Sequence, residues 1–410
     1  MKFFKSVSVI IFLLVITQLT AQDYYMSSPV GFGRNATGGG NATPVVVSTY
    51  SELESALNSS GSSVIIVSGT INFGGVGTEM INKVITNKTL LGLPGAKLIT
   101  DRQDVNGGIL GLKKGSGNVI IRNLIFEGPG AYDVDGKDLL QNTGCTDLWV
   151  DHCEFYDGVD GNYDNTQFAD NITISWCKFG YNQPPKAGGS GGSNDHRFTN
   201  LVGGSASDAP ADNHYSITFQ YCYWSEGCRD RMPRARNAEL HILNCYYYSS
   251  VGNCAIGLGG GKYNLTCFVE GCNFEKVSKI YSSYNSTDGG SHSINFNDCL
   301  PANKIPGNVG LVSKPTYSYT AIDVDEVKNV VTSACGAGAT LLVDTDGNIS
   351  SPCSGTSINF NNVTDPKEVA DIKYYTLTGM KIDRLGKGNV VIVKTLYADG
   401  SVEASKVIVD

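Results

Sequence analysis

An eight-residue pattern of alternating apolar and polar positions recurs through the middle of the chain. Its seven copies begin at Val119, Leu148, Ile172, Ile217, Leu240, Cys267 and Ile294. The first and third positions are apolar in every copy, six of the seven sixth positions are cysteine, and six of the seven eighth positions are aromatic. Alternation of this kind predicts a strand with one buried face.

The spacing of the copies predicts how the strands are connected. Successive sixth positions lie 29, 24, 45, 23, 27 and 27 residues apart, a near-constant minimum with longer excursions. Coils of about two dozen residues cannot bury their own apolar face and must stack on one another. We therefore predict an all-β fold, a right-handed parallel β-helix with Ser63–Phe73 and Lys88–Thr100 as its first coils. A β-sandwich of hairpins would need two-residue turns, which are missing between these strands.

The two ends of the predicted solenoid differ from its middle. Ser51–Leu57 has helical periodicity after a Ser/Thr start, which favours a helix that caps the open end. We assign residues 22–354 to the β-helix and the polar residues 355–373 to a linker. Residues 374–410 alternate like short strands, with Asp399-Gly400 as a turn, and predict a small, sandwich-like β module.

The first 21 residues have the features of a secretory signal peptide. Lys2 and Lys5 precede the apolar run Val7–Ile16, and Ala21 offers a small residue at a cleavage site before Gln22. A retained anchor is the alternative, but the apolar run is short for a membrane span. We predict an exported protein, secreted or displayed on the outer-membrane surface.

Composition limits the partners and the metal chemistry. The 410 residues carry a net charge of −8, which argues against nucleic acid as a general partner. Five scattered histidines leave little room for a histidine-based metal cluster. We expect a monomer.

Six of the twelve cysteines occupy the sixth position of the repeat, a single inward ladder. Stacked strands lie close enough for a bridge, but their parallel Cβ vectors favour buried thiols that pack as small apolar groups. Cys335 and Cys353, which close a Gly/Ser-rich loop, form the predicted disulfide. The pairing of Cys145, Cys228, Cys254 and Cys267 stays open.

Charged residues follow several of the repeats at similar offsets. The residues concerned are Asp138, Asp160, Asp164, Lys186, Arg231 and Arg236. In a solenoid, similar offsets in successive coils lie on one face, so acids and bases are expected to meet at one edge. Carboxylate oxygens without histidine or cysteine favour Ca²⁺, although Asp160-Gly161 would also suit an ordinary turn. A solvated loop is the alternative interpretation of Arg229, Arg231, Arg234 and Arg236, but four arginines in eight residues around Pro233, facing the acids, favour a site.

A polyanionic sugar chain fits this combination. Arginine binds carboxylates through paired hydrogen bonds, and a divalent cation bridges substrate and protein carboxylates. A cation on a uronate carboxylate also acidifies the neighbouring C5 hydrogen. A base then removes that proton, and the 4-linked oxygen leaves by β-elimination.

Several of these motifs together resemble the pectate lyases of polysaccharide lyase family one. They are LWVDHCEF with DGNYD, NITISWCKF, and RMPRAR followed by ELHILNCYY, within a resemblance that runs from Ser48 to Tyr248. The resemblance implies calcium ligands at Asp138, Asp160 and Asp164, the catalytic base at Arg231 and a substrate-binding arginine at Arg236. It also implies a structural pair, Asp151 and His152, that supports the site. Since free arginine has a pKa above about 12, Arg231 as a base implies a perturbed environment or an alkaline optimum.

The chain departs from the family pattern at its second basic position. The family places a substrate-binding lysine shortly before a Leu-x-Gly segment. Here Lys186 is followed by the inserted sequence AGGSGGSNDHRFTN before Leu201. Either Lys186 or Arg197 could therefore fill that role, and the insertion could extend the cleft or block it.

Related activities are less consistent with the residues. Pectin-type lyases of the same family have basic residues in place of the acids, and polygalacturonases need motifs such as GHG or NTD that are missing here. A catalytically silent β-helix that binds acidic glycans is the alternative from another functional class. The C-terminal residues, including Tyr375–Lys381 and Lys406–Val409, resemble the sorting domain of the type IX secretion pathway of Bacteroidetes, with a carbohydrate-binding or structural appendage as alternative.

Overall fold

The computed structural model describes residues 25–75, 77–353, 369–376, 381–382, 390–397 and 402–408. The chain divides into two compact units, Met1–Thr356 and Ser357–Asp410. The predicted signal peptide and the Asp399-Gly400 turn lie outside the described residues. Within the described residues, no helix is both long enough and apolar enough to cross a bilayer.

The first unit is built mainly from short strands. In chain order they are β1 (Pro44–Val47), β2 (Ser63–Val67), β3 (Thr70–Asn72), β4 (Ile81–Lys83), β5 (Thr86–Gly92), β6 (Lys97–Ile99), β7 (Leu110–Leu112), β8 (Gly117–Arg122), β9 (Ile125–Glu127), β10 (Leu140–Asn142), β11 (Thr146–Asp151), β12 (Glu154–Tyr156), β13 (Tyr163–Asn165) and β14 (Asp170–Ser175). They continue with β15 (Lys178–Gly180), β16 (Leu201–Val202), β17 (Tyr215–Gln220), β18 (Tyr223–Trp224), β19 (Arg234–Ala235), β20 (Ala238–Leu243), β21 (Tyr246–Tyr248), β22 (Ile256–Leu258), β23 (Leu265–Glu270), β24 (Asn273–Lys276), β25 (Tyr281–Ser283), β26 (His292–Asn297), β27 (Leu342–Val343) and β28 (Ile349–Ser350). The helices are α1 (Tyr50–Asn58), α2 (Asn285–Asp288) and α3 (Val324–Val331), with a 3₁₀ turn at Ala302–Lys304.

The strands form a parallel β-solenoid, as the repeats predict. Sheet A is ten-stranded and contains β1, β2, β5, β8, β11, β14, β17, β20, β23 and β26. Sheet B has eight strands from β3 to β24, and sheet C has eight from β4 to β25. From β2 onward each coil passes through sheet A, sheet B and sheet C in turn. A small antiparallel pair, β27 with β28, lies after the last coil in sequence.

The register of sheet A agrees with the sequence repeat residue by residue. Leu148 pairs with Val119 on one side and with Ile172 on the other. The ladder of first positions continues through Ile217, Leu240, Cys267 and Ile294. Equivalent positions therefore stack along the solenoid. The register between neighbouring coils decides which side chains point into the interior and which point to solvent.

The interior is formed by the repeat positions that the sequence marks as apolar. The sixth-position cysteines are buried free thiols, and so are Cys145, Cys228, Cys254 and Cys267. The eighth-position rings from Phe126 to Phe274 stack with centroids 4.4 to 5.6 Å apart. The predicted disulfide is present between Cys335 and Cys353.

A residue in the left-handed conformation turns the chain from sheet A into sheet B. It is the fifth position of the repeat, with φ between 47° and 59° at Asn123, His152, Trp176, Tyr221, Asn244, Gly271 and Asp298. This conformation is ordinary for Asn, Asp and Gly but uncommon for Trp and Tyr. The tight corner keeps the A-to-B connection short, so the longer loops lie in the connections that enter or leave sheet C.

Helix α1 closes the first coil as predicted. Thr49 caps it by accepting a hydrogen bond from the Glu52 amide, and the Glu52 carboxylate accepts one from the Thr49 amide in return. Leu53 and Leu57 are buried in the same core as the first strands. The helix therefore covers apolar side chains that no preceding coil could cover.

The second unit contains one antiparallel sheet in the part of the chain that is described. Its strands are β29 (Val369–Tyr375), β30 (Lys381–Ile382), β31 (Val390–Tyr397) and β32 (Val402–Ile408), in the order β30-β29-β31-β32. Strand β29 begins at Val369, inside the segment predicted as a linker. Its polar residues, such as Asp371 and Lys373, suggest a linker in sequence, yet they pair in register with β31.

Candidate active site

The charged residues that the sequence groups together lie on the loops that connect sheet B to sheet C. Asp138 comes just before β10, Asp160 lies between β12 and β13, and Asp164 is within β13. Arg231 precedes β19. Because β10, β13, β16 and β19 are neighbours in sheet C, these loops meet over one edge of the solenoid.

Three carboxylates are crowded at this edge. Burial, followed by the charges of Asp164 and Asp160, raises the pKa of Asp138 well above its ordinary value. Burial also raises the pKa of Asp160 to about 6 and that of Asp164 to about 7, and the nearby charge of Arg231 opposes both shifts. The amide of Leu201 donates to Asp164 Oδ1 at 2.8 Å. The protein thus holds three carboxyl groups where negative charge is unfavourable.

Gly161 shapes the space between two of these carboxylates. A Cβ on Gly161 would lie 2.5 Å from Asp138 Oδ1 and 3.5 Å from Asp164 Oδ1. Asp138 Oδ1 is buried and has no hydrogen-bond partner among the described residues. A buried, unpartnered carboxylate oxygen and two acidic neighbours fit a hard cation that prefers oxygen ligands, such as Ca²⁺.

Arg231 is held in a constrained backbone conformation beside the acids. Its φ is +61°, and its carbonyl accepts hydrogen bonds from the Asn200 amide at 2.7 Å and the Thr199 hydroxyl at 2.5 Å. Its guanidinium carbon lies 4.7 Å from the centre of the Phe198 ring. Arg231 lines a cavity of about 330 Å³ together with Leu201, Asp230, Arg234, Arg236 and Tyr284.

Arg236 and Arg234 are paired with one carboxylate. Arg236 Nε lies 3.0 Å from Asp288 Oδ1, and its Nη1 donates to the Gly203 carbonyl at 2.8 Å. Arg234 pairs with the other oxygen of Asp288 and lies 4.0 Å from the centre of the Tyr284 ring. Although burial alone would raise it, the hydrogen bonds from both arginines keep the pKa of Asp288 below its ordinary value. The sequence does not indicate this contact, because Asp288 lies 54 residues beyond Arg234.

The two candidates for the second basic role lie outside the lining of this cavity. Lys186 Nζ lies 4.1 Å from the centre of the Tyr132 ring. Arg197 forms a two-pronged pair with Asp195, with N–O distances of 2.7 and 2.6 Å. Phe198 occupies the cavity wall instead. The choice between Lys186 and Arg197 therefore stays open.

Asp151 and His152 form part of a buried polar network at the end of β11 in sheet A. Asp151 lies 2.8 Å from His152 Nδ1 and 2.7 Å from Arg122, and Ser175 donates to it at 2.5 Å. Arg122 in turn donates to the Met26 carbonyl at 2.9 Å. These contacts join neighbouring coils to the N-terminal segment and agree with a structural role, but they support sheet A rather than the loops over sheet C.

A histidine that the sequence did not single out lies among the acids. His196 is 6% exposed, with Nδ1 3.2 Å from Asp133 and Nε2 3.4 Å from Asp160. Burial, reinforced by the charge of Arg231, lowers the pKa of His196 to about 4. The scattered spacing of histidines did not predict this contact, because His196 reaches the site on the inserted loop.

The fold and the cleft define a class, the parallel β-solenoid proteins with a charged cleft over one sheet. A family model described as pectate lyase matches residues 7–340, and the chain belongs to the pectate lyase family.

Individual relatives agree with this assignment. A pectate trisaccharide-lyase of Thermotoga sp. strain RQ2 is 34% identical over 266 residues, which are 60% of this chain and 65% of that protein. One of Bacillus licheniformis is 27% identical over 336 residues, 77% of this chain and 87% of that protein. The chain thus spans about 65% of the length of the Thermotoga relatives it matches.

Solved structures show the same fold. One is pectate lyase Bsp165PelA from Bacillus sp. N165, solved in complex with trigalacturonate. Its alignment covers 76% of this chain and 98% of the Bsp165PelA chain, with a TM-score of 0.55 and 21% sequence identity. Another is pectate lyase pelN from Paenibacillus sp. 0602, whose alignment covers 78% of this chain and 97% of the pelN chain, with a TM-score of 0.59 and 19% sequence identity.

Proposed function

We propose that the protein is an extracellular, calcium-dependent pectate lyase. It would cleave α-1,4-linked polygalacturonate by β-elimination and release 4,5-unsaturated oligogalacturonides. The observation that carries the proposal is the convergence of Asp138, Asp160 and Asp164 with Arg231 over one edge of sheet C. The names of the relatives, pectate trisaccharide-lyases and a pectate lyase complexed with trigalacturonate, support the choice of substrate.

Asp138, Asp160 and Asp164 are the residues that would hold the calcium ion. Their oxygens suit a hard cation, and burial raises the pKa of all three carboxyl groups although the charge of Arg231 lies nearby, so a further positive charge at the site would be favourable. When bound, calcium would withdraw charge from the uronate carboxylate and make the C5 hydrogen more acidic.

Arg231 is the proposed base. Its guanidinium group, once neutral, would accept the C5 proton, and the C5–H electron pair would form the C4=C5 bond. The C4–O bond would break with its electron pair on the glycosidic oxygen, which takes up a proton from solvent and leaves as a hydroxyl group. The Phe198 ring beneath the guanidinium and the two hydrogen bonds to the Arg231 carbonyl restrict its position. Because a free guanidinium loses its proton only in strong alkali, we expect turnover to increase toward alkaline pH.

The other bases are proposed to bind substrate carboxylates. Arg236 lines the same cavity as Arg231 and keeps 18% of its side chain exposed despite its pair with Asp288. Guanidinium groups bind carboxylates through two parallel hydrogen bonds, which would fix the register of the sugar chain. Lys186 and Arg197 remain the two candidates for the second basic position.

The test is the ultraviolet absorbance of polygalacturonate incubated with the purified chain, with calcium and with a chelator. We expect an increase in absorbance from the C4=C5 double bond that disappears on chelation. Reducing ends without that absorbance would indicate a hydrolase and exclude the roles given to Arg231 and the three acids. Saturable binding without any product would favour a silent glycan-binding solenoid.

We propose that export depends on both ends of the chain, with residues 1–21 as signal peptide and residues 374–410 as a sorting domain for the type IX secretion machinery. Removing residues 374–410 should leave the solenoid inside the outer membrane of a host with that machinery. Unchanged appearance in the medium or on the surface would contradict a sorting role. We also propose a monomer, which light scattering coupled to size-exclusion chromatography tests.

A further inference from the structure

The glycine-rich insertion between β15 and β16 is folded tightly against one acidic residue. A Cβ on Gly189 would lie 1.9 Å from the Asp133 carbonyl oxygen, and one on Gly191 would lie 1.9 Å from Asp133 Oδ1. Ser193 donates its amide hydrogen to Asp133 Oδ2 at 2.6 Å. Only glycine permits an approach this close, so the composition of the insertion follows from its contact with Asp133.

The same insertion brings His196 between two carboxylates. One nitrogen of His196 and one oxygen each from Asp133 and Asp160 lie within 4.8 Å of one another. His196 is 6% exposed, and neither of its ring nitrogens forms a hydrogen bond of good geometry with the described residues. A buried imidazole without hydrogen bonds is unfavourable, because water no longer satisfies its nitrogens.

A metal ion with affinity for nitrogen would satisfy this arrangement. Zn²⁺ binds imidazole nitrogen and carboxylate oxygen at about 2.0 to 2.2 Å, so tetrahedral neighbours lie about 3.3 Å apart. The separation of His196 Nε2 and Asp160 Oδ1, 3.4 Å, is close to that value. Asp133 Oδ2 lies 3.2 Å from Nδ1, the second ring nitrogen, and could accept the hydrogen bond that usually supports a metal-bound histidine, which leaves Oδ1 of Asp133 for the metal.

We propose that Asp133, His196 and Asp160 form a second divalent-metal site, distinct from the calcium site and selective for zinc-like ions. It differs from the calcium site in its ligands, because imidazole favours Zn²⁺ and pure oxygen sites favour Ca²⁺. The two sites share Asp160. Zinc and calcium should therefore weaken each other's binding by the same factor, a consequence that rests also on the proposed function.

Zinc titration of the metal-free full-length chain, in competition with a chromophoric chelator, tests the proposal. We expect one zinc site in the unaltered chain and a loss of affinity of about 100-fold in both His196→Ala and Asp133→Asn. His196→Gln keeps a similar size without an imidazole and should lose the same affinity. His214→Ala is the matched control, since His214 contacts the Tyr263 carbonyl outside the cluster, and it should bind zinc normally.

Two further variants separate the zinc site from the calcium site. Asp138→Asn should lose calcium affinity and keep zinc affinity, whereas Asp160→Asn should lose both. Unchanged zinc affinity in a folded His196→Gln variant, or no zinc bound to the unaltered chain, would overturn the proposal. Zinc binding that survives while calcium binding and lyase activity prove absent would overturn only the proposed function.

Discussion

Two acid–base clusters lie over sheet C, and they balance charge in opposite ways. In the first cluster, burial raises the pKa values of Asp138, Asp160 and Asp164, and the charge of Arg231 only partly opposes these shifts. In the second, two arginines enclose the single carboxylate of Asp288, whose pKa is lowered.

The difference separates carboxylates that lack a paired charge within the protein from a carboxylate that has one. In the second cluster Asp288 is already paired with Arg234 and Arg236, although Arg236 keeps 18% of its side chain exposed and is proposed to bind substrate. The first has an excess of carboxylates and gains from any cation that enters. Unfavourable electrostatics maintained by the fold are typical of functional sites, because they are relieved only when a ligand binds.

The largest effect is expected from the base of the first cluster. Arg231→Lys keeps a positive charge but shortens and changes the group that accepts the proton, so kcat should fall by about 10³-fold. The measurement is the initial rate of double-bond absorbance with saturating polygalacturonate. Arg229→Lys is the matched control, because Arg229 pairs with Asp195 and does not line the cavity. Equal rates for both variants would remove Arg231 from the reaction.

Removal of the single acid in the second cluster should make the protein less stable. Asp288→Asn leaves Arg234 and Arg236 without a charged partner, and the free energy of unfolding should fall by roughly 2 to 3 kcal/mol. Chemical denaturation in the presence of a chelator measures this change. An unaltered midpoint would mean that the pair contributes nothing to stability.

The same substitution in the first cluster should act in the opposite direction. Asp138→Asn removes a buried carboxylate that has no partner, so the metal-free protein should gain about 1 to 2 kcal/mol of stability. Calcium should then raise the melting temperature less than it does in the unaltered chain, because the stability added by a ligand falls as its Kd rises, with the logarithm of the ratio of ligand concentration to Kd. A variant that is less stable than the unaltered chain in chelator would contradict the comparison.

The smallest effect concerns a buried acid with hydrogen bonds but no cation. Burial raises the pKa of Asp170 to about 6, although the Ser216 amide donates to it at 2.9 Å. The folded state therefore holds this proton more tightly than the unfolded state, and the stability contributed by Asp170 is lost as pH rises through about 6. Asp170→Asn should be more stable than the unaltered chain by up to about 1 kcal/mol at alkaline pH, with no gain near pH 4.

Thermal unfolding of both proteins across that pH range measures the difference. A constant difference at all pH values would show that Asp170 does not titrate in this way.

The sequence predicted the solenoid closely because every coil repeats the same local rule. Apolar first and third positions define strands, and stacking identical positions is the one arrangement that buries them all. The fifth position of the repeat also marks the corner between sheet A and sheet B. Asn123, Asn244, Gly271 and Asp298 there are residue types that tolerate positive φ and mark the corner.

The cleft was predictable only in part, for a physical reason. Asp138, Asp160, Asp164 and Arg231 follow the repeat at regular offsets, so the coil geometry brings them together. His196 and Asp288 do not follow it. Their contacts depend on an insertion and on the one-turn helix α2, whose paths no repeat specifies.

The cysteine ladder makes the order of folding matter. Burial raises the pKa of the Cys177 and Cys245 thiols in this ladder, and a thiol that stays protonated reacts slowly with oxidants. All ten free thiols are buried, so the closed coils keep oxidants away from them. A chain that unfolds in an oxidising medium exposes them together, and wrong disulfides would trap it before the coils could stack again. The lifetime of the folded protein would then be set by the rate at which the solenoid unfolds, not by the equilibrium between folded and unfolded chains.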